Sequence, residues 1–212
     1  MQKQPYTRAH VFAIIGMILT WFAVALQFYL ILLYRKLSIG GTIIQFFSYF
    51  TILSNLITAV CFTACVKYPD FPDNHFFAKP KTVTAVTVYM AVVGLVYNIA
   101  LRHLTQLEGA NEFVNELLHV VNPLWILLFW FLFVPKNGLL WKHIFPWLIY
   151  PFVYLIYVLI RGRFTGLYPY PFVNADNLGY ATVSLNCILV CVAFLFFSLL
   201  FVGIAKKMKY RQ

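Results

Sequence analysis

Apolar residues fall in six stretches long enough to cross a membrane, separated by short polar breaks. A hydrocarbon layer about 30 Å thick takes about 20 residues of α-helix to span. The stretches run from about Ala9 to Tyr34, Gly41 to Val66, Thr82 to Leu101, Glu112 to Val134, Ile144 to Ile160 and Leu178 to Ala205. Arg35 and Lys36 end the first, and Pro135 to Gly138 end the fourth. A loop rich in Pro, Asp and Asn follows the second, as turn chemistry requires. Runs such as Leu127 to Phe133 are apolar on every side, whereas a membrane-crossing strand alternates. The pattern predicts an all-α polytopic membrane protein, with one six-helix transmembrane bundle forming a single domain over residues 1–212.

Composition strengthens this reading. The chain is 62% hydrophobic and 10% charged, with a mean hydropathy of +0.81. Soluble domains carry about 25% charged residues. A net charge of +10 would raise nucleic-acid binding in a soluble protein. Here the bases sit at helix ends and in the tails, where lipid headgroups account for them, and no nucleic-acid partner is expected. The first apolar run is too long for a signal peptide and has no small-residue cleavage site after it.

The bases also set a direction. Lys3, Arg8, Lys67, Lys79, Lys81, Lys136, Lys142, Lys206, Lys207, Lys209 and Arg211 fall on one side of the six-span topology. Arg35, Lys36, Arg102, Arg161 and Arg163 fall on the other. An excess of eleven against five marks the cytoplasmic side. Both termini are therefore expected in the cytoplasm and the protein in the cell membrane. Cys61, Cys65, Cys187 and Cys191 lie inside apolar runs and read as small buried hydrophobes. No metal and no organic cofactor is implied.

Polar side chains within a bilayer are costly and mark candidate chemistry. The second span carries Ser48, Thr51, Asn55 and Thr58 on one helical face. The fourth carries Asn115, Glu116, His119 and Asn122 on one face. With continuous helices, Thr51 lies about 15 Å and His119 about 10 Å below the outer ends of their spans, close enough in depth to meet. A threonine hydroxyl needs an adjacent base to act as a nucleophile, and imidazole can supply one. Asn55, one turn inward, can donate to an oxyanion or orient the pair. Asn115 or Glu116 can orient His119. The alternative is that these residues are interhelical hydrogen-bonding glue.

The fifth span carries Tyr150, Tyr154, Tyr157 and Arg161 on one stripe, suited either to lining a pocket or to packing. The following segment, Arg161 to Phe172, combines two arginines with a Pro-constrained aromatic run. It suits a lipid-facing lid in which Arg161 or Arg163 binds a carboxylate or phosphate. An interfacial aromatic belt is the alternative.

Three segments together resemble a known family. The segment Phe47-Ser48-Tyr49-Phe50-Thr51-Ile52-Leu53-Ser54-Asn55-Leu56 is similar to the Tyr-Leu-Thr-x-x-x-Asn-Leu segment of the eukaryotic androgen-induced and androgen-dependent TFPI-regulating family. Asn115 to Pro123 resembles that family's fourth helix, with its His and following Pro. Arg163 to Phe172 resembles its Tyr-Pro-Phe loop. Over nearly the whole chain the sequence resembles the bacterial six-span Pr-six-Pr membrane proteins. The resemblance implies an intramembrane threonine hydrolase with Thr51 as nucleophile and His119 as base. It also implies a lipid-ester substrate of the type of a fatty acid ester of a hydroxy fatty acid. Ser54, Asn122 and the Pro-Tyr-Pro at Pro169 to Pro171 depart from the family pattern. A transporter, a lipid-binding protein without hydrolysis, and a structural partner are the alternatives. Transport predicts paired broken helices, for which Pro123, Pro146 and Pro151 are candidate sites.

Overall fold

The computed structural model describes residues 7–104 and 106–209, with only the backbone of Lys209. Lys3 and Arg211, which enter the charge bias above, lie outside the described residues, as does the side chain of Lys209. Among the described residues, eight α-helices form the bundle: α1 (Arg8–Leu33), α2 (Ile39–Phe47), α3 (Phe50–Lys67), α4 (Pro80–Val96), α5 (Ala110–Glu116), α6 (Asn122–Phe133), α7 (Ile144–Thr165) and α8 (Ala175–Lys209). No strand occurs among the described residues. Taken with the short helical turns that extend them, they give six segments long and apolar enough to cross a membrane: Arg8–Leu33, Phe50–Lys67, Pro80–Leu101, Ala110–Phe133, Trp141–Thr165 and Ala175–Met208.

The most enclosed span is α4. Eleven consecutive residues, Val83 to Val93, are buried, as expected of a helix apolar all round. It packs against α3, α6 and α8, while α1 covers α3 and α6. The outer faces of α1, α7 and α8 carry large exposed side chains such as Phe22, Phe145, Phe152, Leu189 and Phe196. An apolar surface this continuous has no stable partner in water. In a bilayer it is the lipid-facing skin of a multi-pass membrane protein. Cys61 and Cys65 are buried, but Cys187 is only partly so and Cys191 is exposed. The expectation of four buried thiols fails at α8 because it lies at the rim of the bundle.

Helix ends follow local chemistry. The Thr7 and Ser38 hydroxyls accept the His10 and Gly41 N–H groups at the starts of α1 and α2. The fifth span runs to Thr165, five residues past its expected end, and stops at Gly166 in the left-handed region (φ 67°). It passes through Pro151 as one helix. Lys136 donates to the Trp130 and Val134 carbonyls at the end of α6 and sits 4.2 Å over the Trp130 ring.

Two departures from regular helix matter most. The second span is not continuous. Tyr49 is extended (φ −85°, ψ 125°), so α2 and α3 are separate and Thr51 is the second residue of α3. The depth expected for Thr51 from an unbroken helix therefore does not hold. The freed backbone groups are taken up by tyrosines. Tyr154 donates to the Ser48 carbonyl at 2.9 Å and accepts the Phe50 N–H at 3.2 Å. Tyr170 accepts the Thr51 N–H at 3.2 Å.

The fourth span carries a π-helical turn, Leu117–Val121, between α5 and α6. Its cause is Pro123, which has no N–H to offer and whose ring clashes with the carbonyl one turn back. The Asn122 N–H is drawn to the Leu117 carbonyl, so the Leu118 carbonyl loses its donor in the helix. Asn55 on α3 replaces it, with Nδ2 donating to Leu118 O at 3.1 Å and to Thr51 O at 2.9 Å. Asn122 Nδ2 donates to Asn55 Oδ1 at 2.8 Å and completes the pin. A second close approach faces the same turn. A Cβ on Gly94 of α4 would lie 3.3 Å from the His119 carbonyl oxygen and 3.4 Å from Pro123 Cβ.

Replacing Asn55 by Leu strands the Leu118 carbonyl in a dry interior, at a cost of about 1–3 kcal/mol. Thr58→Val removes only a bond to the helix's own Ser54 carbonyl and is expected to cost less. Equilibrium unfolding in detergent micelles checks the order of the two variants.

Candidate functional site

The break in the second span and the π-turn in the fourth face each other. Thr51 Oγ1 lies 3.2 Å from His119 Nε2. The other ring nitrogen, Nδ1, lies 2.9 Å from the Asn115 carbonyl. A carbonyl only accepts, so Nδ1 carries the proton and the neutral ring presents its lone pair at Nε2. The Thr51 hydroxyl therefore donates to His119. Tyr97, the first residue of the helical turn Tyr97–Leu101 that follows α4, stacks on the imidazole with ring centroids 4.2 Å apart and planes at 25°, and its hydroxyl accepts from Asn115 Nδ2. The ring is thus fixed at both an edge and a face.

Tyr170 completes the cluster. Its hydroxyl lies 3.3 Å from Thr51 Oγ1 and accepts the Thr51 N–H. The loop that delivers it is tied down. Asn186 of α8 donates to the Phe172 carbonyl at 2.8 Å, Phe172 stacks on Tyr170, and the Tyr168 ring lies against Gly162, where a Cβ would stand 2.0 Å from it. The segment expected to be a lipid-facing lid is therefore a fixed arm, with a tyrosine reaching the centre of the site.

Two spaces meet at this cluster. A chamber of about 80 Å3 lies between α4, α7 and α8, walled by Val92, Val96, Leu155, Val158, Val190 and Phe194. A vestibule of about 310 Å3 lies on the other side, with Gln27, Tyr49 and Asn115 among its walls. Thr51, Tyr97, Leu101, His119 and Tyr170 line both. The hydroxyl–imidazole pair thus stands between an apolar chamber and a more polar entrance.

The other sequence candidates sort by what they touch. Asn55 is fully buried and spends both amide N–H groups on backbone carbonyls, so it pins the helices and does not serve as an oxyanion donor. Asn122 is its partner, with Oδ1 buried and unpaired. Ser48 is also fully buried, donates to Ile44 O at 2.6 Å and accepts from Tyr157 at 2.8 Å. It lines neither space. Tyr154 lines the chamber, but its hydroxyl is engaged with Ser48 O and Phe50 N–H. Tyr157 is exposed at its flank.

Asn115 orients His119 through its backbone carbonyl. Glu116 instead pairs with Arg102, near the surface. Arg161 donates to the Leu167 carbonyl and to Gln45 Oε1, at 2.6 and 2.7 Å. It ties the arm to α2 and lines neither space, and Arg163 is exposed away from both. The expected anion-binding role of these two arginines is not met at this cluster, because the guanidinium of Arg161 already has neutral partners.

Sequence reasoning placed Tyr170 in a lid without singling it out, and passed over Tyr97 and Gln27. A lone Gln in the apolar first span was the one available signal. No protein-family model matches the chain, and no curated protein or solved structure matches it, so the chemistry rests on the geometry.

The tautomer is directly measurable. With selectively 15N-labelled histidine, the His119 Nδ1 resonance is expected as the protonated type and Nε2 as the bare type. Thr51→Val should move Nε2 and leave Nδ1 nearly in place.

Proposed function

We propose that the protein is an intramembrane lipid-ester hydrolase in which Thr51 is the nucleophile and His119 the general base. One observation carries the reading. The Thr51 hydroxyl is 3.2 Å from an imidazole nitrogen whose lone pair faces it, at a junction between an apolar chamber and a more polar entrance. That is the arrangement which makes a weak nucleophile competent. The resemblance to the androgen-induced and Pr-six-Pr families points to the same two residues, and membership of that group is part of the proposal.

In this mechanism His119 Nε2 takes the proton as Thr51 Oγ1 bonds to the ester carbonyl carbon. The Tyr170 hydroxyl, 3.3 Å from Thr51 Oγ1, turns to donate to the oxyanion. The carbon–oxygen bond to the alcohol half breaks, and His119 returns the proton to the leaving alkoxide. Acyl-Thr51 remains. A water from the vestibule loses a proton to His119 and adds to the acyl carbonyl. The fatty acid leaves as Thr51 regains its proton. Two proton transfers out and two back leave the enzyme unchanged, with ester and water converted to acid and alcohol. The carbons next to the ester carbonyl occupy the chamber lined by Val and Phe. On the charge bias of the sequence, the vestibule opens to the outer face of the cell membrane.

A fluorophosphonate lipid probe tests the assignment. The wild type is expected to gain one covalent adduct at Thr51, seen by mass spectrometry, with Thr51→Ala unlabelled and Thr51→Ser labelled. Equal labelling of wild type and Thr51→Ala, or of neither, sinks the reading. Tyr170→Phe is expected to lower kcat for ester turnover by about 10²-fold while KM moves little.

A further inference from the structure

The connection between α1 and α2 holds chemistry that ester cleavage leaves unused. Arg35 and Lys36 are exposed there and line a cavity of about 390 Å3 with Gln27, Tyr49 and Asn111. Gln27, Ile31 and Tyr49 also line the vestibule that reaches Thr51 and His119, so the two spaces adjoin. Arg35 uses one guanidinium N–H on the Leu32 carbonyl at 3.1 Å. Neither cation has a carboxylate partner, since the salt bridge found among the described residues is Arg102–Glu116.

Interfacial snorkelling explains an Arg–Lys pair at a helix end. It does not explain Gln27. That side chain sits within the first span, faces both spaces and has no hydrogen-bond partner among the described residues. An unpaired amide in a membrane span is costly unless a ligand or water completes it.

We propose that the Arg35–Lys36 cavity binds a phosphate carried on the alcohol half of the substrate, making the substrate a single-chain acyl ester of a glycerol-phosphate type. The proposal rests on the hydrolase reading for the position of the ester. Three features support it. The two spaces on either side of Thr51 differ in polarity: the chamber is almost wholly apolar, whereas the vestibule, though walled in part by Ile and Leu, adds the Gln27 and Asn115 amides and the Tyr49 hydroxyl on the side that adjoins two cations. An ester of two hydrocarbon chains would leave the amides and the cations unused. A substrate with one acyl chain, a polyol and an anion meets each in order. Two adjacent cations, a forked guanidinium and a compact ammonium, match the charge and the several oxygens of a phosphate better than those of a carboxylate.

Binding to the Thr51→Ala protein in phosphatidylcholine nanodiscs tests this without turnover. The probes are a non-hydrolysable alkyl-ether glycerol phosphate, the matching uncharged alkylglycerol, and a matching alkyl ether ending in a carboxylate. Each is read against empty discs. The phosphate probe is expected to bind about tenfold or more tightly than the uncharged one. That advantage should fall as salt rises and vanish in a variant carrying Arg35→Gln and Lys36→Gln. Gln27→Leu should weaken both glycerol-bearing probes. Equal binding of the charged and uncharged probes to the Thr51→Ala protein overturns the proposal. Equal binding of the phosphate and carboxylate probes overturns the phosphate assignment. The two readings fail separately. Loss of charge preference leaves Thr51-dependent labelling intact, and failed labelling leaves the binding result standing.

Discussion

Buried main-chain N–H and C=O groups in a hydrocarbon layer must find partners inside the protein, and the rest of this structure depends on how two irregular segments meet that demand. One is the extended residue Tyr49, which separates α2 from α3. The other is the π-turn forced by Pro123. Each frees backbone groups within a bilayer-spanning region. The side chains that satisfy them come from other segments of the chain. Tyr154 and Tyr170 serve the first, and Asn55 serves the second. Three segments distant in sequence are thereby drawn to one point.

The same demand produces a site. Thr51 stands in the first turn of α3, where its N–H has no partner in its own helix and is held by Tyr170. His119 stands inside the π-turn, and π-turns often mark functional positions. Its Nδ1–H is consumed by Asn115 one turn earlier, so the lone pair of Nε2 is presented outward to Thr51. Gly94 allows α4 to lie close against the His119 carbonyl, and Tyr97, in the turn that follows that helix, supports the ring. Preorganisation of this sort arises from satisfying the backbone, and the proposed chemistry makes use of it.

The interior is also asymmetric. On one side of the Thr51–His119 pair, α4, α7 and α8 enclose an apolar chamber. On the other, α1, α2 and α5 frame an entrance with an amide on its wall and two cations at its end. That polarity gradient is what a lipid with one chain and an anionic head would meet on entering. The tyrosine stripe of α7 belongs to the frame. Tyr150, Tyr154 and Tyr157 engage Ser54, the Ser48 backbone and the Ser48 hydroxyl in turn, locking α7 to the polar face of the second span.

Six spans, and polar faces on the second and fourth, are legible along the chain alone. Apolar length against membrane thickness, and a periodicity of 3.6 residues, are local properties of the chain. The catalytic roles of Thr51 and His119 that the resemblance implies belong to the proposal. The tertiary structure decided the rest. It showed that Asn55 pins helices, that Glu116 and Arg161 are engaged elsewhere, and that Tyr170 and Tyr97 reach the pair. None of this is local. A carboxamide or a guanidinium has the same hydrogen-bonding capacity wherever it stands in the sequence, and only packing decides which carbonyl, ring or cavity lies within 3 Å of it.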